Sequence, residues 1–310
     1  MKSVITLLAF VCFLSSAMAQ NSADLKFNLD KNKVYHLKSV SNQNISQTMQ
    51  GMQQTTTVKS ITYASLKLME KTPEFMVAEV KFDSIITNTN AMGREIVMNS
   101  ALPGDINSQD PGQIMTFVMN RFCSTPVFAK LNYDGKVIEI INLNLISANT
   151  LKDLDSIKGQ AAPMLKNQVK SMVDSKAVQT MVESLTSYLP GKVVNVGGSW
   201  EKSLTTTTNG LSMLINNKYK LNSIQGNVAN VDTESSVEPA SSDPVDMNGA
   251  KITNNLRGLS KGQMTIDTKT GLIIKSTGKI HMEGNMGVDV PGNSFSIPMQ
   301  IDGETTVEAL

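Results

Sequence analysis

Residues 55–69 read TTTVKSITYASLKLM. The stretch is rich in β-branched residues, and its apolar members mostly recur at every second position: Ile61, Tyr63, Leu66 and Leu68. This period places alternate side chains on opposite faces of a β-strand. A strand of this length with scattered polar residues suits an antiparallel sheet that has one face toward water or open to a ligand.

The same pattern continues on both sides of this strand. Residues 34–50 alternate and turn polar before Gly51, and residues 75–85 alternate again after a short turn. Farther along, Asp134-Gly135 separates two alternating runs, and this dipeptide is a strong hairpin signal because Gly accepts a positive φ. The sequence therefore predicts a mainly β (α+β) fold built from long antiparallel meanders.

A helical segment interrupts the strands in the middle of the chain. Residues 143–189 change period, and the apolar residues of 163–189 recur every three or four positions. Pro163 suits a first helical turn, and Pro190-Gly191 ends the pattern. We predict an amphipathic helical segment, interrupted near Asp174, whose apolar stripe packs on the sheet. A second, short helix is expected to begin at Pro111.

Two hairpins resemble each other across this segment. Residues 128–140 and 264–275 both read as strand, turn with an acidic residue and a glycine, and strand. We interpret the chain as two related halves, residues 20–142 and 190–310, joined by helices in 143–189. Residues 235–248 contain two prolines and several serines, and they predict an exposed loop.

Residues 1–19 predict a cleavable signal peptide. Lys2 precedes an apolar run over residues 4–14, and Ala17-Met18-Ala19 follows. The alternative is an uncleaved N-terminal anchor, but the run is shorter than the ~20 apolar residues of a membrane span. We expect residues 20–310 to form one exported β-rich domain, periplasmic or extracellular, with no transmembrane segment.

Composition limits the partners. Lys2 leaves with the signal, so 27 of the 28 basic residues remain against 27 acidic ones. A neutral chain without a basic stripe argues against nucleic acid and against a polybasic membrane contact. Cys123 is then the single remaining cysteine, which excludes an intramolecular disulfide and is typical of a buried small apolar side chain.

Residues for ordinary catalysis are scarce. The two histidines, His36 and His281, each lie in an alternating strand, and the Ser-hydrolase, zinc-protease, Cys-x-x-Cys and phosphate-loop motifs do not occur. Residues 105–110 offer alternating oxygen donors but lack the distal Glu of a calcium loop, so Asx turns are the interpretation. We predict no catalytic residue, no metal and no cofactor.

The 19 methionines suit either a forgiving apolar cavity or an ordinary core. We predict that a cavity between the sheet and helices 163–189 is lined by Tyr63, Phe82, Met172, Met181 and Leu185, each of which can also be read as core. Trp200, the single tryptophan, could be a stacking platform for a ring-shaped ligand or a core anchor at a sheet corner.

Several short motifs are similar to those of one family: the strand at Tyr35, Leu189-Pro190-Gly191, residues 196–200 and residues 262–271. On these the chain resembles a family of exported Bacteroidota proteins, DUF6263, a domain of unknown function. The resemblance implies envelope or secreted residence and mostly β structure, and it implies no activity. The long strands with a few helices also resemble lipoprotein carriers of the LolA type, at the level of fold alone.

Three functions follow as hypotheses. The first is an exported, non-enzymatic module that binds an apolar ligand such as a lipid, or an envelope protein. The second is a carboxylate-dependent secreted hydrolase, which requires two acidic side chains in one cleft. The third is a structural or assembly protein of the cell envelope that pairs through exposed strand edges.

Overall fold

The computed structural model describes residues 21–49, 51–159, 162–208, 211–247 and 249–310. The predicted signal peptide, residues 1–19, lies outside the described residues. Four described α-helices are α1 (Pro111–Ser124), α2 (Leu143–Leu151), α3 (Ala162–Met172) and α4 (Ser175–Thr186). The described strands of the first part are β1 (Ser22–Leu25), β2 (Val34–Met49), β3 (Met52–Lys71), β4 (Met76–Ala91), β5 (Arg94–Asn99), β6 (Val127–Leu131) and β7 (Val137–Ile140). Those of the second part are β8 (Lys192–Asn195), β9 (Ser199–Thr208), β10 (Leu211–Gln225), β11 (Val228–Pro239), β12 (Val245–Met247), β13 (Ala250–Asn254), β14 (Arg257–Asp267), β15 (Ile273–Val290) and β16 (Asn293–Ala309).

The strands confirm the mainly β prediction. One 14-stranded sheet runs in the order β7-β6-β4-β3-β2-β16-β15-β14-β11-β10-β9, and β1 pairs with β8 in a separate small sheet. All of these pairings are antiparallel, and β2 joins β16, so the first and last long strands of the chain meet in the middle of the sheet. β5 adds to β4, and the β12–β13 hairpin adds to β15.

Most local predictions are confirmed. The helical segment divides at Asp174, whose side chain accepts a hydrogen bond from the backbone N–H of Ala177 (2.8 Å) and caps α4. The Asp134-Gly135 hairpin joins β6 to β7, with Gly135 at φ +85°. The helix that begins at Pro111 continues to Ser124 and is longer than expected.

The loop predicted over residues 235–248 is wrong at its start and near its end, since residues 235–239 lie in β11 and Val245–Met247 form β12. Residues 235–239 continue β11: all five pair with β10, and residues 235–237 also pair with β14. Ser235 Oγ donates to Asn217 Oδ1 (2.6 Å), so this serine hydrogen-bonds across strands, and Val237 is buried. Turn-forming composition was overridden by pairing with distant strands.

Helix α4 bridges the two ends of the sheet path. Toward β7, Glu183 accepts a hydrogen bond from the N–H of Val137 (3.0 Å), and Thr186 Oγ1 donates to the carbonyl of Gly135 (2.6 Å). Toward β9, Thr180 Oγ1 donates to the carbonyl of Thr205 (3.2 Å). One helix therefore spans the space between the edge strands, which requires the sheet to curve strongly at this end. We call this end the base.

The two similar hairpins meet at the base. The N–H of Phe27 donates to the carbonyl of Tyr133, and the N–H of Asn28 donates to the carbonyl of Thr270, both at 2.9 Å. The turns of the two hairpins thus hold consecutive residues of the segment after β1. This arrangement is compatible with two related halves, and the duplication itself stays a prediction.

The main hydrophobic core fills the base between the sheet, β1 and the helices. Its members with almost no solvent exposure include Leu25, Phe27, Phe122, Leu189 and Leu221. A second cluster lies between α1 and α3 around Ile114, Val118, Leu165 and Val169. Within the described residues, every helix is too short or too polar to traverse a bilayer.

Candidate functional site

The sheet has two faces of different chemistry. Because side chains alternate, the register fixes which residues share the face that carries the core, which we call the inner face. Over the eight neighbouring strands from β4 through β3, β2, β16, β15, β14 and β11 to β10, the described inner-face positions carry no charged side chain. The inner face also continues well beyond the part that the helices and β1 cover.

The outer face carries the charges. Cross-strand ion pairs join Lys275 to Glu308 (3.6 Å), Lys279 to Glu304 (3.0 Å) and Arg257 to Glu238 (2.8 Å). All of these side chains are exposed, so each pair adds little stability. Together they mark the outer face as the side adapted to water.

An apolar row crosses the inner face beyond the core. The register aligns one residue from each of seven consecutive strands: Ile45 of β2, Ile301 of β16, Met282 of β15, Gly258 of β14, Val237 of β11, Ile215 of β10 and Leu204 of β9. We call these residues the apolar row. Val237 and Met282 are buried and the other apolar members are half-buried. Four of them, Ile301, Met282, Val237 and Ile215, belong to a hydrophobic cluster separate from the core at the base.

A polar row separates this apolar row from the core. Four residues nearer the base along each strand, the inner face presents Ser60, Ser41, Thr305, Gly278, Gly262 and Thr233. Ser60 and Thr87 hydroxyls lie 3.0 Å apart, and Thr305 Oγ1 donates to Ser41 Oγ at 3.3 Å. The inner face is thus apolar at the base, polar but uncharged in the middle, and apolar again beyond.

Glycines allow the close packing of the inner face. A Cβ on Gly258 would collide with Met282 Cγ, and one on Gly262 would collide with the carbonyl oxygen of Thr277 on the neighbouring strand. Glycine inside a strand marks such close approach or sharp bending. The gap at Gly258 in the apolar row is therefore filled by the Met282 side chain.

The six predicted ligand-binding residues do not come together in one cleft. Phe82 is buried in the core and packs near Phe122, with 5.7 Å between ring centroids. Tyr63 lies on the outer face beside Lys38, whose ammonium is 5.8 Å from the ring centroid. Met172, Met181 and Leu185 are partly buried against the core. Their role in ligand binding stays a prediction, but the cavity expected between helix and sheet is occupied by core side chains.

Trp200 anchors the core. Its indole Nε1 donates to the carbonyl of Tyr188 (2.9 Å), and its ring stacks on Tyr219 with centroids 5.3 Å apart. Burial raises the pKa of Tyr219 to about 12 and also raises the pKa of Tyr188, whose hydroxyl donates to the carbonyl of Gly271 (2.9 Å). This is the core-anchor arrangement, and only 7% of Trp200 is exposed.

The outer face contains an open cleft of about 1010 Å³, lined in part by Arg257, Glu283 and His281. His281 Nδ1 lies 2.7 Å from Asp302 Oδ1, and this hydrogen bond raises the pKa of His281 and lowers that of Asp302. Glu238 and Glu283 both line this cleft, as a carboxylate-dependent hydrolase requires, but Glu238 is engaged by Arg257 (2.8 Å). β15 is paired on both sides around His281, so its backbone groups there are engaged in the sheet. The His281–Asp302 pair therefore resembles the neighbouring cross-strand ion pairs.

Metal-binding side chains do not cluster among the described residues. In the part of the chain that the structure describes, no three His, Cys, Asp or Glu side chains are grouped as a metal site would require. In the loop after β5, Asp105 Oδ1 accepts from the N–H of Asn107 (2.9 Å), and Asp110 Oδ1 accepts from the N–H of Gly112 (2.9 Å). These are the Asx turns that the sequence predicted, the second of them capping α1.

A family model of unknown function, DUF6263, matches residues 74–273. The chain belongs to the DUF6263 family. The matched part runs from just before β4 to the first residue of β15 and includes the four helices and Trp200. Of the seven strands of the apolar row, it contains β9, β10, β11 and β14 in full. No curated protein sequence matches this DUF6263 chain.

Some solved structures are weakly similar to this DUF6263 chain. One is lipovitellin, solved to describe its lipid–protein interactions. It is 8% identical with a TM-score of 0.46, and the match covers 91% of this chain and 25% of that one. The chain thus spans about a quarter of that relative's length. An outer membrane channel from Pseudomonas putida is 6% identical with a TM-score of 0.27, covering 92% and 98%. A DUF1329 family protein from Desulfovibrio piger is 9% identical with a TM-score of 0.14, covering 86% and 83%. Similarity this low carries no argument about function.

The sequence contains only a partial signal for the apolar row. Ile297, Met299 and Ile301 alternate in β16, as do Ile280 and Met282 in β15, and this alternation predicts an apolar face on each strand. It does not show that the faces align, because alignment depends on pairing between strands far apart in the chain. The row was therefore missed at the level of sequence.

Proposed function

We propose that this protein is an exported, non-enzymatic module that binds a long apolar chain, such as the alkyl chain of a lipid, along the apolar row. The observation that carries the proposal is the alignment of Ile45, Ile301, Met282, Val237, Ile215 and Leu204 across an inner face that is uncharged from β4 to β10. Helix α4 reaches this row only at β9, where Thr180 bonds the carbonyl of Thr205 beside Leu204. The described helices pack on β4, β5, β7 and β9 rather than on the six strands of the row from β2 to β10. An apolar surface left at the edge of a packed core favours an apolar partner.

The dimensions suit an extended chain. Six spacings between neighbouring strands, each of about 4.8 Å, give a row of about 29 Å measured across the sheet. A chain lying across the strands would touch an apolar side chain on six of the seven strands, since β14 contributes Gly258. Met282 can adjust to its shape because methionine is unbranched and flexible. A charged ligand would gain nothing there, since no inner-face charge lies within the row.

The polar row gives the ligand an orientation. Ser41, Ser60, Thr233 and Thr305 place hydroxyls four residues, or about 13 Å, toward the base from the apolar row without introducing charge. Hydroxyls both donate and accept hydrogen bonds, so they suit the neutral polar group of an amphiphile. We therefore expect a ligand with a long apolar chain and an uncharged hydrogen-bonding group.

The test uses an apolar dye and a charge placed on either face. Nile red fluorescence should rise when the dye binds the intact protein, and Ile301→Asp should weaken that binding about tenfold or more, because the dye must then share the row with a carboxylate. Leu259→Asp is the matched control: Leu259 is exposed on the outer face, next to Gly258 of the row. Equal loss of binding in both variants, with both still folded, would contradict the proposal.

The natural occupant requires a separate measurement. Native mass spectrometry of the protein purified from its own host should show an added mass in the range of a single lipid, lost in Ile301→Asp and kept in Leu259→Asp. An added mass in the range of a protein instead would mean that the same face binds an envelope protein rather than a lipid. Residence outside the cytoplasm is part of the proposal, and N-terminal sequencing that still begins at Met1 in a cytoplasmic fraction would contradict it.

A further inference from the structure

Hairpin tips with exposed apolar side chains gather at the end of the sheet opposite the base. Met52 is 63% exposed at the tip that joins β2 to β3, Met92 is 73% exposed at the β4–β5 tip, and Phe295 is 44% exposed beside the β15–β16 tip. Met49 and Val290 add to the same tips. Because Gln47 of β2 lies opposite Met299 of β16 and Ala91 of β4 lies opposite Thr56 of β3, these tips stand at the same end of neighbouring strands. We call these five residues the rim.

Met92 occupies its tip at a conformational cost. Its φ is +51° and that of Gly93 is +74°, which are the positive angles of a tight two-residue hairpin turn. Asn, Asp and Gly are the residues favoured in the first position of such a turn. An exposed methionine there is disfavoured both by its backbone conformation and by its apolar side chain in water. Stability of the folded chain alone does not explain it.

The rim carries almost no net charge. The described tip residues near it include Glu95, Asp246 and Asp289 on the acidic side and Arg94 and Lys251 on the basic side. Contact with an anionic surface would require a basic surplus. A neutral surface with scattered apolar side chains instead suits a neutral lipid surface, into which single side chains can insert separately.

The rim is continuous with the apolar row. Met299 and Ile297 of β16 and Met286 of β15 lie on the inner face between the rim and the row, and all are half-buried. An alkyl chain that left a lipid surface at the rim would meet apolar side chains along the whole path to Ile301 and Met282. A second copy of the chain docked at the rim would need one broad contiguous apolar patch, whereas these tips are separated by polar residues such as Gln53, Asn293 and Ser294.

We infer that the rim docks the protein on a neutral lipid surface and that apolar chains enter or leave the apolar row there. The inference rests on the proposed function, since it assigns the source of the ligand. Docking is peripheral: the hairpin tips insert, and the charged outer face of the sheet remains in water.

Flotation with phosphatidylcholine vesicles tests the rim. The full chain should float with the vesicles, and the triple variant Met52→Ser, Met92→Ser, Phe295→Ser should show a vesicle partition coefficient lower by about tenfold or more. The matched control is Leu145→Ser, Met164→Ser, Val193→Ser, which removes three equally exposed apolar side chains from α2, α3 and β8. This control should float like the unmodified protein, and the emission of buried Trp200 should show that all three proteins are folded.

The outcomes separate the two proposals. Failure of the unmodified protein to float, or equal flotation of both triple variants, overturns docking at the rim. If Nile red still binds in vesicle-free buffer, the proposed ligand binding stands even though docking at the rim does not. If flotation depends on the rim but Nile red does not bind, the rim contacts membranes, and the entry of a ligand into the apolar row is overturned. A dimer in sedimentation experiments that is lost only in the rim variant would assign the rim to a second copy and overturn the lipid surface.

Discussion

Ile301 of β16 lies directly opposite Ile45 of β2, although 256 residues separate them in the chain. The pairing joins the first and last long strands in the middle of the sheet and places both side chains on the uncharged inner face. Met282 lies opposite Ile301 on the other side, so three adjacent strands each place an apolar side chain in line. The account of function follows from this alignment rather than from any single residue.

Gly135 is a position where glycine is required. Its φ is +85°, and a Cβ there would collide with the carbonyl oxygen of Thr186 at the end of α4. Gly135→Ala should therefore lower the free energy of unfolding by about 3 kcal/mol or more, because α4 would have to leave the hairpin. Urea denaturation measures this. Gly226→Ala, also at positive φ but with open space around it, should cost only about 1 kcal/mol. Equal losses would show that close approach at Gly135 is unimportant.

An ion pair closes the base between the two ends of the sheet path. Lys202 Nζ of β9 lies 2.6 Å from Asp134 Oδ2 in the β6–β7 turn, and both side chains are largely shielded from water. Lys202→Met should lower the free energy of unfolding by about 1–2 kcal/mol, since it leaves a shielded carboxylate without its cation. Lys279→Met removes the lysine of an exposed pair and should change stability by less than about 0.5 kcal/mol. Thermal unfolding that ranks the two variants in the opposite order would contradict this role.

His281 should titrate above its ordinary range. Its hydrogen bond with Asp302 raises the pKa of His281, and the same contact, followed by that of Gln300, lowers the pKa of Asp302. The raised histidine pKa contributes stability that is complete below about pH 6.5 and is lost as the pH rises through the folded-state pKa. The lowered pKa of Asp302 contributes stability above about pH 4 that is lost as the pH falls through its folded-state value.

NMR titration of the His281 ring checks this linkage. Asp302→Asn should return the pKa of His281 toward about 6.5, because the charged acceptor is gone. Glu304→Gln, which alters the next ion pair on the same strand, should leave most of the shift in place. An unchanged titration in Asp302→Asn would mean that the contact is not formed in solution.

Two sites for the apolar ligand can be distinguished by alanine substitutions. Ile45→Ala with Ile301→Ala should weaken Nile red binding about tenfold, since it removes several methylene groups from the apolar row. Met181→Ala with Leu185→Ala removes comparable apolar volume from α4, at the position first predicted from the sequence, and should reduce stability more than binding. Weaker binding in the α4 variant than in the Ile45/Ile301 variant would place the ligand site at the helix instead.

Local features of the fold could be predicted from the sequence because each depends on neighbouring residues. Alternation in residues 55–69 predicted β3, Asp134-Gly135 predicted the hairpin, and the change of period before Pro190 predicted α3 and α4. Asp174 marked the interruption between those helices because its side chain is a good helix cap. The errors lay where local composition was misleading, as at Ser235–Pro239, which the partners β10 and β14 hold in a strand.

The site could not be predicted in the same way. The apolar row depends on register between strands separated by up to 256 residues, and a shift of one residue would turn each side chain to the other face. The amphipathic stripe of α4 was a clear signal, but it identified core packing: Val178 and Val182 are fully buried. Trp200 shows the same limit, since a lone tryptophan after two glycines does not reveal that Tyr188 and Tyr219 will enclose it.

Photo-crosslinking with a long-chain alkyl diazirine, followed by peptide mapping, tests the central claim most directly. The account predicts that label concentrates on peptides that contain Ile45, Ile215, Met282 and Ile301, and that Ile301→Asp removes it. Label concentrated on the outer face around Leu259 and Ile274, or on α4 around Met181 and Leu185, would contradict a ligand site on the apolar row.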